Sequence, residues 1–264
     1  TDLYKVFLAQ PCTTELVYCE AEGNDTNYEW IKSTKINNTK HFSGNVALTA
    51  SSQLPTGGVT GNFVTPTNGA AFSGQDTSIV DVSYDEVGTI SIAAQNNFLS
   101  AGLVQGALAN VGRFAPANFQ LTGNVTSACS LAGRRFTYFE QPLSEVAFTL
   151  QAQNTRGEAT VNYRQGFDAL TDIVVTAANG GTLLNRLENI DSFGWPQTGT
   201  TGQIVFADNN VTFGRLPSAQ LDTAYPNVSV GLSANGTQLE GATINGSVCS
   251  GNCYTLIGTG LMFA

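Results

Sequence analysis

Apolar and polar residues alternate with a period of two along much of this chain. Residues 46–50, 77–84, 88–94, 145–152, 172–177, 202–206, 210–213 and 227–232 place Val, Ile, Leu, Ala or Phe at every second position, or nearly so. Successive side chains of a strand point to opposite faces, so this pattern predicts half-buried strands. The segments between them carry turn chemistry: Pro55-Thr56-Gly57-Gly58, Thr67-Asn68-Gly69, Asn154-Thr155-Arg156-Gly157, Ala178-Asn179-Gly180-Gly181, Asp208-Asn209-Asn210, Ala234-Asn235-Gly236 and Asn245-Gly246. Asn and Gly tolerate the positive φ that tight hairpins need. Short strands at this spacing build sandwiches or a barrel.

Helical signal is sparse. Residues 98–110 have room for a turn of helix, weakened by Gly102 and Gly106. Residues 182–189 make the better short helix, with Thr182 as cap and Leu183, Leu184 and Leu187 on one face. A joint is expected near residues 114–119, where Pro116 disfavours helix in the residue before it and cannot donate to a ladder. The reading is therefore all-β, with tandem immunoglobulin-like or β-sandwich domains and little helix. Residues 1–40 form a segment of uncertain assignment, 41–115 a first sandwich, and 116–264 a larger one expected to be truncated at its C-terminus.

Composition agrees with that picture. Only 12% of the 264 residues are charged while 42% are hydrophobic, and Gly is abundant at 28. This suits a β-rich secreted protein better than a helical cytosolic one. No apolar run reaches the roughly 18 residues that span a bilayer as a helix, so membrane insertion is not expected. The net charge of −9 argues against nucleic acid or anionic lipid as a partner. All four Lys lie within the first 40 residues and all seven Arg at or after Arg113, a shift that sets the N-terminal segment apart.

Five cysteines sit at 12, 19, 129, 249 and 253. The short intervals Cys12–Cys19 and Cys249–Cys253 read as local disulfides of an oxidising compartment. A four-thiolate zinc site is the competing reading, and only the second pair has its spacing. Cys129 is left over, as a small apolar residue or as a partner for a cysteine elsewhere.

Catalytic signatures are few. The sequence has no Gly-x-Ser-x-Gly elbow and no His-Glu-x-x-His, and His41 is its only histidine. Pairs drawn from Asp85, Glu86, Glu140, Glu145 and Asp191 offer the carboxylates that glycoside hydrolysis requires. Calcium is the more reasonable ion, with Asp85, Glu86 and Asp208 as candidate oxygen ligands, although none falls in an EF-hand loop. Trp195, and after it Trp30, are the rings best suited to stack on a sugar, the alternative being a lid over a core.

One stretch carries more than pattern. Tyr84-Asp85-Glu86-Val87-Gly88-Thr89-Ile90 leads into a strand; Val111-Gly112-Arg113-Phe114-Ala115-Pro116-Ala117-Asn118-Phe119 forms the joint; Phe136-Thr137-Tyr138-Phe139-Glu140-Gln141-Pro142-Leu143 opens a second strand set that ends in Asn162-Tyr163 and Gly166-Phe167. In this order, with Asn210–Arg215 and Cys249–Thr259 following, the pieces resemble the MshQ-like C-terminal region of MSHA-type type IV pilus biogenesis proteins and related secreted β-rich bacterial proteins. The resemblance implies a non-catalytic, extracellular or cell-surface structural or adhesive module. Its partners would be the other domains of a larger parent protein and pilus or cell-surface components. The alternatives are a carbohydrate-binding sandwich that recognises a surface glycan or polysaccharide and, third, a polysaccharide-active enzyme.

Overall fold

The computed structural model describes residues 4–9, 20–21, 31–32, 43–73, 77–97, 103–131, 134–199, 201–216 and 223–264. It is built almost wholly of strands, as the alternating pattern predicts. The chain divides into two compact units. Unit 1 takes residues 1–56, 60–85 and 89–114; unit 2 takes Gly57–Val59, Glu86–Gly88 and Ala115–Ala264.

In unit 1 the strands are β1 (Tyr4–Ala9), β2 (Glu20–Ala21), β3 (Ile31–Lys32), β4 (Ser43–Leu54), β5 (Phe63–Val64), β6 (Ala70–Ser73), β7 (Thr77–Tyr84), β8 (Gly88–Asn97) and β9 (Leu103–Phe114). One sheet runs in the order β6-β4-β8-β9, a second in the order β1-β7-β5, and β2 pairs with β3. Strand β1, from the N-terminal segment set apart above, pairs antiparallel with β7, from Tyr4 opposite Val82 to Ala9 opposite Thr77. Leu48, Ala70, Phe72, Val80, Val82, Ile90, Ile92 and Phe114 form this unit's core. They come from both larger sheets, and on β8 the alternation is direct, Ile90 and Ile92 pointing inward and Ser91 outward.

The expected turn of helix at 98–110 is not found. Residues 98–102 lie outside the described residues, and the rest belong to strand β9. Its pattern hid it: β9 is an edge strand among the described strands of its sheet and is exposed at most positions on both faces, so no alternation marks it.

Unit 2 contains β10 (Asn118–Thr126), β11 (Cys129–Leu131), β12 (Arg134–Phe136), β13 (Glu145–Gln153), β14 (Ile173–Asn179), β15 (Thr182–Leu184), β16 (Leu187–Glu188), β17 (Gln203–Asp208), β18 (Thr212–Phe213), β19 (Tyr225–Asn235), β20 (Thr243–Ile244) and β21 (Asn252–Phe263). Two four-stranded sheets, ordered β17-β13-β10-β20 and β15-β14-β19-β21, share one apolar core. The first contributes Phe119, Leu121, Val146, Phe148, Leu150, Ile204 and Phe206; the second contributes Val175, Ala177, Val228, Val230, Leu232, Ile257, Leu261 and Phe263. Each large side chain buried this fully contributes about 1.5–3 kcal/mol relative to exposure. Gly123 on β10 is a point of close approach, since a Cβ there would overlap the Ala147 carbonyl and crowd the side chains of Ile257 and Phe148.

The helix expected at 182–189 is also replaced by strands. Gly180 and Gly181 adopt φ of +56° and +87°, turning the chain so that β15 folds back on β14 with Leu183 opposite Ala178. Leu183 is exposed, while Leu184 and Leu187 pack on the core from two different strands. Their apolar spacing therefore reflects two short strands, not one helix face. The helical element among the described residues is a 3-10 turn, Gly236–Leu239, whose first turn is capped by Asn235 accepting from the Thr237 N–H.

Candidate functional site

Three arrangements in unit 2 bring together chemically capable side chains. The first is a buried carboxylate. Glu86 accepts from the N–H of Val87 at 2.7 Å, of Val161 at 2.9 Å and of Asn162 at 3.2 Å. The Asn162 side chain extends the network: it accepts from Val59 N–H at 2.8 Å and donates to the carbonyls of Val59 at 2.7 Å and Val87 at 3.3 Å. Arg164 donates to the Gly57 carbonyl at 3.1 Å. The side chains of Glu86, Asn162 and Arg164 thus satisfy the backbone of the short segments Gly57–Val59 and Glu86–Gly88, which run as loops or strand ends without a full ladder. Buried polar groups are stable only when paired in this way.

The three calcium candidates are engaged in backbone contacts. The Glu86 oxygens accept from amide donors, and Asp208, on β17, likewise accepts from the N–H groups of Asp191 at 2.9 Å and Asn210 at 2.7 Å. Asp85 accepts from Asn62 N–H at 2.6 Å and belongs to unit 1. Among the described residues, no three His, Cys, Asp or Glu side chains converge as a metal-binding group. A carboxylate that closes a turn and a carboxylate that binds an ion have the same sequence signature, an acidic residue between strands.

The second arrangement is aromatic. Trp195 is 7% exposed, so its ring offers no face to a sugar. It packs edge-on to Tyr163 with ring centroids 4.6 Å apart and lies 5.8 Å from Phe119. Its Nε1 donates to the Leu170 carbonyl at 2.5 Å, and the Tyr163 hydroxyl accepts from the Leu170 N–H at 2.9 Å. Both polar atoms of one buried peptide position are thereby satisfied by aromatic side chains. Of the two roles open to Trp195, sugar stacking and a lid over the core, the packing fits the core role. Trp30 lies outside the described residues.

Unit 2 also buries a cation that no sequence motif singles out. Arg186 is buried and donates from Nε, at 2.9 Å, and Nη2, at 2.5 Å, to the Gly214 carbonyl. Its guanidinium carbon lies 4.6 Å from the Phe213 ring centre, 5.1 Å from that of Tyr225 and 5.2 Å from that of Phe139. A planar guanidinium can stack on rings and still use its donors in plane, which a lysine cannot do. Phe139 lies 74 positions before Phe213, and Tyr225 12 after it, so no local motif announces the cage.

The third arrangement lies on the β11–β12 hairpin. Cys129 stands opposite Phe136 in register, and the preceding Ala128 N–H donates to Thr137 Oγ1 at 3.0 Å. Cys129 Sγ is 3.9 Å from Gln141 Oε1 and 3.8 Å from Gln141 Nε2. Gln141 Oε1 also accepts from the Tyr138 N–H at 3.0 Å, and the Gln141 N–H returns to the Tyr138 carbonyl at 3.1 Å. Cys129 and Gln141 are both half-buried, whereas Tyr138 is 55% exposed and packs against Phe136 with centroids 5.3 Å apart.

The cysteines at 249 and 253 form the expected disulfide, with Cα atoms 5.9 Å apart. Gly251, at φ of +129°, lets the intervening turn reverse, and its carbonyl accepts from Gly236 N–H at 2.6 Å. Cys12, Cys19 and His41 lie outside the described residues.

Fold and sites together define an all-β protein whose larger unit is a two-sheet domain closed near its C-terminal strand by a disulfide. The sequence model described as DUF6701, third domain, matches residues 86–254, and the chain belongs to that family. The match covers most of unit 2, including Glu86, Cys129, Gln141, Asn162, Tyr163, Arg186 and Trp195. No curated protein and no solved structure matches the chain.

Proposed function

We propose that the chain is a non-catalytic extracellular module of a pilus- or cell-surface-associated bacterial protein of the MshQ-like kind, with a structural or adhesive role. The observation that supports this reading is the order of the sequence pieces that resemble the MshQ-like region, most of which fall within the family match over residues 86–254. Two features support it. The Cys249–Cys253 bond suits an oxidising compartment. The side chains with the most distinctive chemistry in the larger unit, Glu86, Asn162, Trp195 and Arg186, are engaged in holding the fold.

In this role the chain presents or spaces other domains of a larger parent and contacts pilus or cell-surface components. Trp195, the ring on which a glycan-binding reading depended, belongs to the core, so the structural reading stands ahead of the lectin reading. The test is an in-frame deletion of this region from the parent gene, scored by attachment to a surface and by electron microscopy of pili. Loss of attachment or of assembled pili is expected. Wild-type attachment together with wild-type piliation, with the shortened parent still exported, would overturn the proposal.

A further inference from the structure

We propose that Cys129 and Gln141 are the two halves of an internal thioester, an acyl group poised for transfer to a primary amine on a partner surface. The cysteine does not stand alone. Its sulfur is almost equidistant from the oxygen and nitrogen of one carboxamide, at 3.9 and 3.8 Å, so it faces that group as a whole. Both lengths fall within the longer reach of hydrogen bonds to sulfur, so the thiol is held against the carboxamide. The two side chains are separated by twelve positions, and the intervening segment is closed by the β11–β12 pairing, which fixes Cys129 opposite Phe136.

Gln141 is fixed as well. Its backbone N–H bonds to the Tyr138 carbonyl, and its side-chain oxygen accepts from the Tyr138 N–H at 3.0 Å. That amide polarises the carboxamide carbonyl and is aimed at the atom on which negative charge develops when a nucleophile adds. Donors held in this way are the usual means of stabilising a tetrahedral intermediate. A nucleophile, an acyl carbon and a donor for the developing oxyanion therefore occur together, and holding reactants in such proximity supplies much of what an acyl transfer requires.

The chemistry balances without an oxidant or reductant. The Cys129 thiol adds to Gln141 Cδ, the Cδ–Nε2 bond breaks, and nitrogen leaves as ammonia with the thiol's proton; a carbon–sulfur bond remains. A primary amine then adds to the same carbon. The carbon–sulfur bond breaks, an amide forms, and Cys129 recovers a proton from the amine. The half-buried setting limits access by water, while the exposed Tyr138 beside it gives a partner an aromatic contact. Formation of the bond is independent of where the protein resides. Its use as a covalent anchor rests on the surface role proposed above.

Mass spectrometry of the native protein at mildly acidic pH tests the inference. The expected result is a species lighter by one ammonia than the sequence requires after allowance for disulfides, with a crosslink between the fragments that hold Cys129 and Gln141. Incubation with methylamine should add one methylamine at Gln141 and release one alkylatable thiol. In Cys129→Ala the ammonia should be retained, and in Gln141→Ala the Cys129 thiol should alkylate without amine treatment. Asn-Gly sequences such as Asn245-Gly246 also lose ammonia on cyclisation, so the position of the loss matters. A native chain with Cys129 freely alkylated and Gln141 an ordinary glutamine overturns the inference, as does an ammonia loss that maps elsewhere. The unsubstituted protein gives the deciding readout, so a variant that fails to fold does not shelter the idea. The deletion phenotype reports separately on the surface role.

Discussion

Replacing Trp195 by Phe separates a core tryptophan from a surface ring. The substitution keeps an aromatic face, so a ring that merely covered a loop or stacked on a sugar would lose little. In the observed packing it removes the Nε1 donor from the Leu170 carbonyl, at a residue that is 0% exposed. A buried acceptor left without its donor costs about 1–3 kcal/mol. The smaller ring also leaves space beside Tyr163 and Phe119, which raises the total toward about 2–4 kcal/mol. Trp195→Ala, which empties the site, should cost about 3–5 kcal/mol. For a unit of this size each kcal/mol moves the melting temperature by about 2–4 °C. Urea titration followed by far-ultraviolet circular dichroism is the assay, with an unchanged slope expected for both variants. Tyr163→Phe removes the acceptor for the Leu170 N–H and should cost about 1–3 kcal/mol by the same argument. Because the two substitutions act on one peptide position, the double variant should depart from additivity by about 0.5–3 kcal/mol. Wild-type stability in Trp195→Phe would refute the reasoning and return the ring to the surface.

Three further outcomes follow from named contacts. Opening the Cys249–Cys253 bond, by Cys→Ser at both positions, should lower stability by about 2 kcal/mol, the loop-closure value for so short a ring, read as a shift in the urea midpoint. Arg186→Lys keeps the charge but loses the forked donation to Gly214 and the stacking on Phe213, so a loss of about 1–3 kcal/mol is expected in the same titration; a neutral effect would show that the cage is incidental. Tyr254 should ionise above the ordinary tyrosine range, because burial disfavours the phenolate more than the Ser229 contact favours it. Folding then protects the neutral form: its contribution is complete below the unfolded value and is lost as pH rises through the folded one. Ultraviolet titration of the native protein against Tyr254→Phe checks the direction.

Much of the fold was legible because sheets write themselves into sequence with a short period. Residues 145–152 show it best: Val146, Phe148, Leu150 and Ala152 alternate with more polar neighbours and point to the core as that order requires. The signal fails where one of its physical causes is missing. Strand β9 is exposed on both faces and shows no alternation; β15 and β16 are too short to display a period, and their leucines imitate a helix face. The site readings were harder. Cys249–Cys253 could be read from spacing because a disulfide between near neighbours is a local event. Glu86 and Trp195 could not, since the partners that fix their roles are distant: Val161 and Asn162 lie some 75 positions from Glu86, and Leu170 lies 25 from Trp195. An acidic residue in a turn and a tryptophan before a proline look alike in sequence, whichever way the fold orients them.

One edge strand of unit 1, β9, has a colloidal consequence. β9 runs for 12 residues with Leu103 and Leu108 exposed and Arg113 as its single charge, and it lacks the lysines and prolines that usually guard an edge. At low ionic strength the overall charge of −9 keeps two molecules apart before such edges can meet. Added salt shortens the reach of that repulsion to about 8 Å under physiological conditions, within which strand pairing takes over. Solubility is then a contest between a long-range repulsion that salt removes and a short-range ladder that salt leaves intact. The concentration at which the protein self-associates should fall as salt is raised.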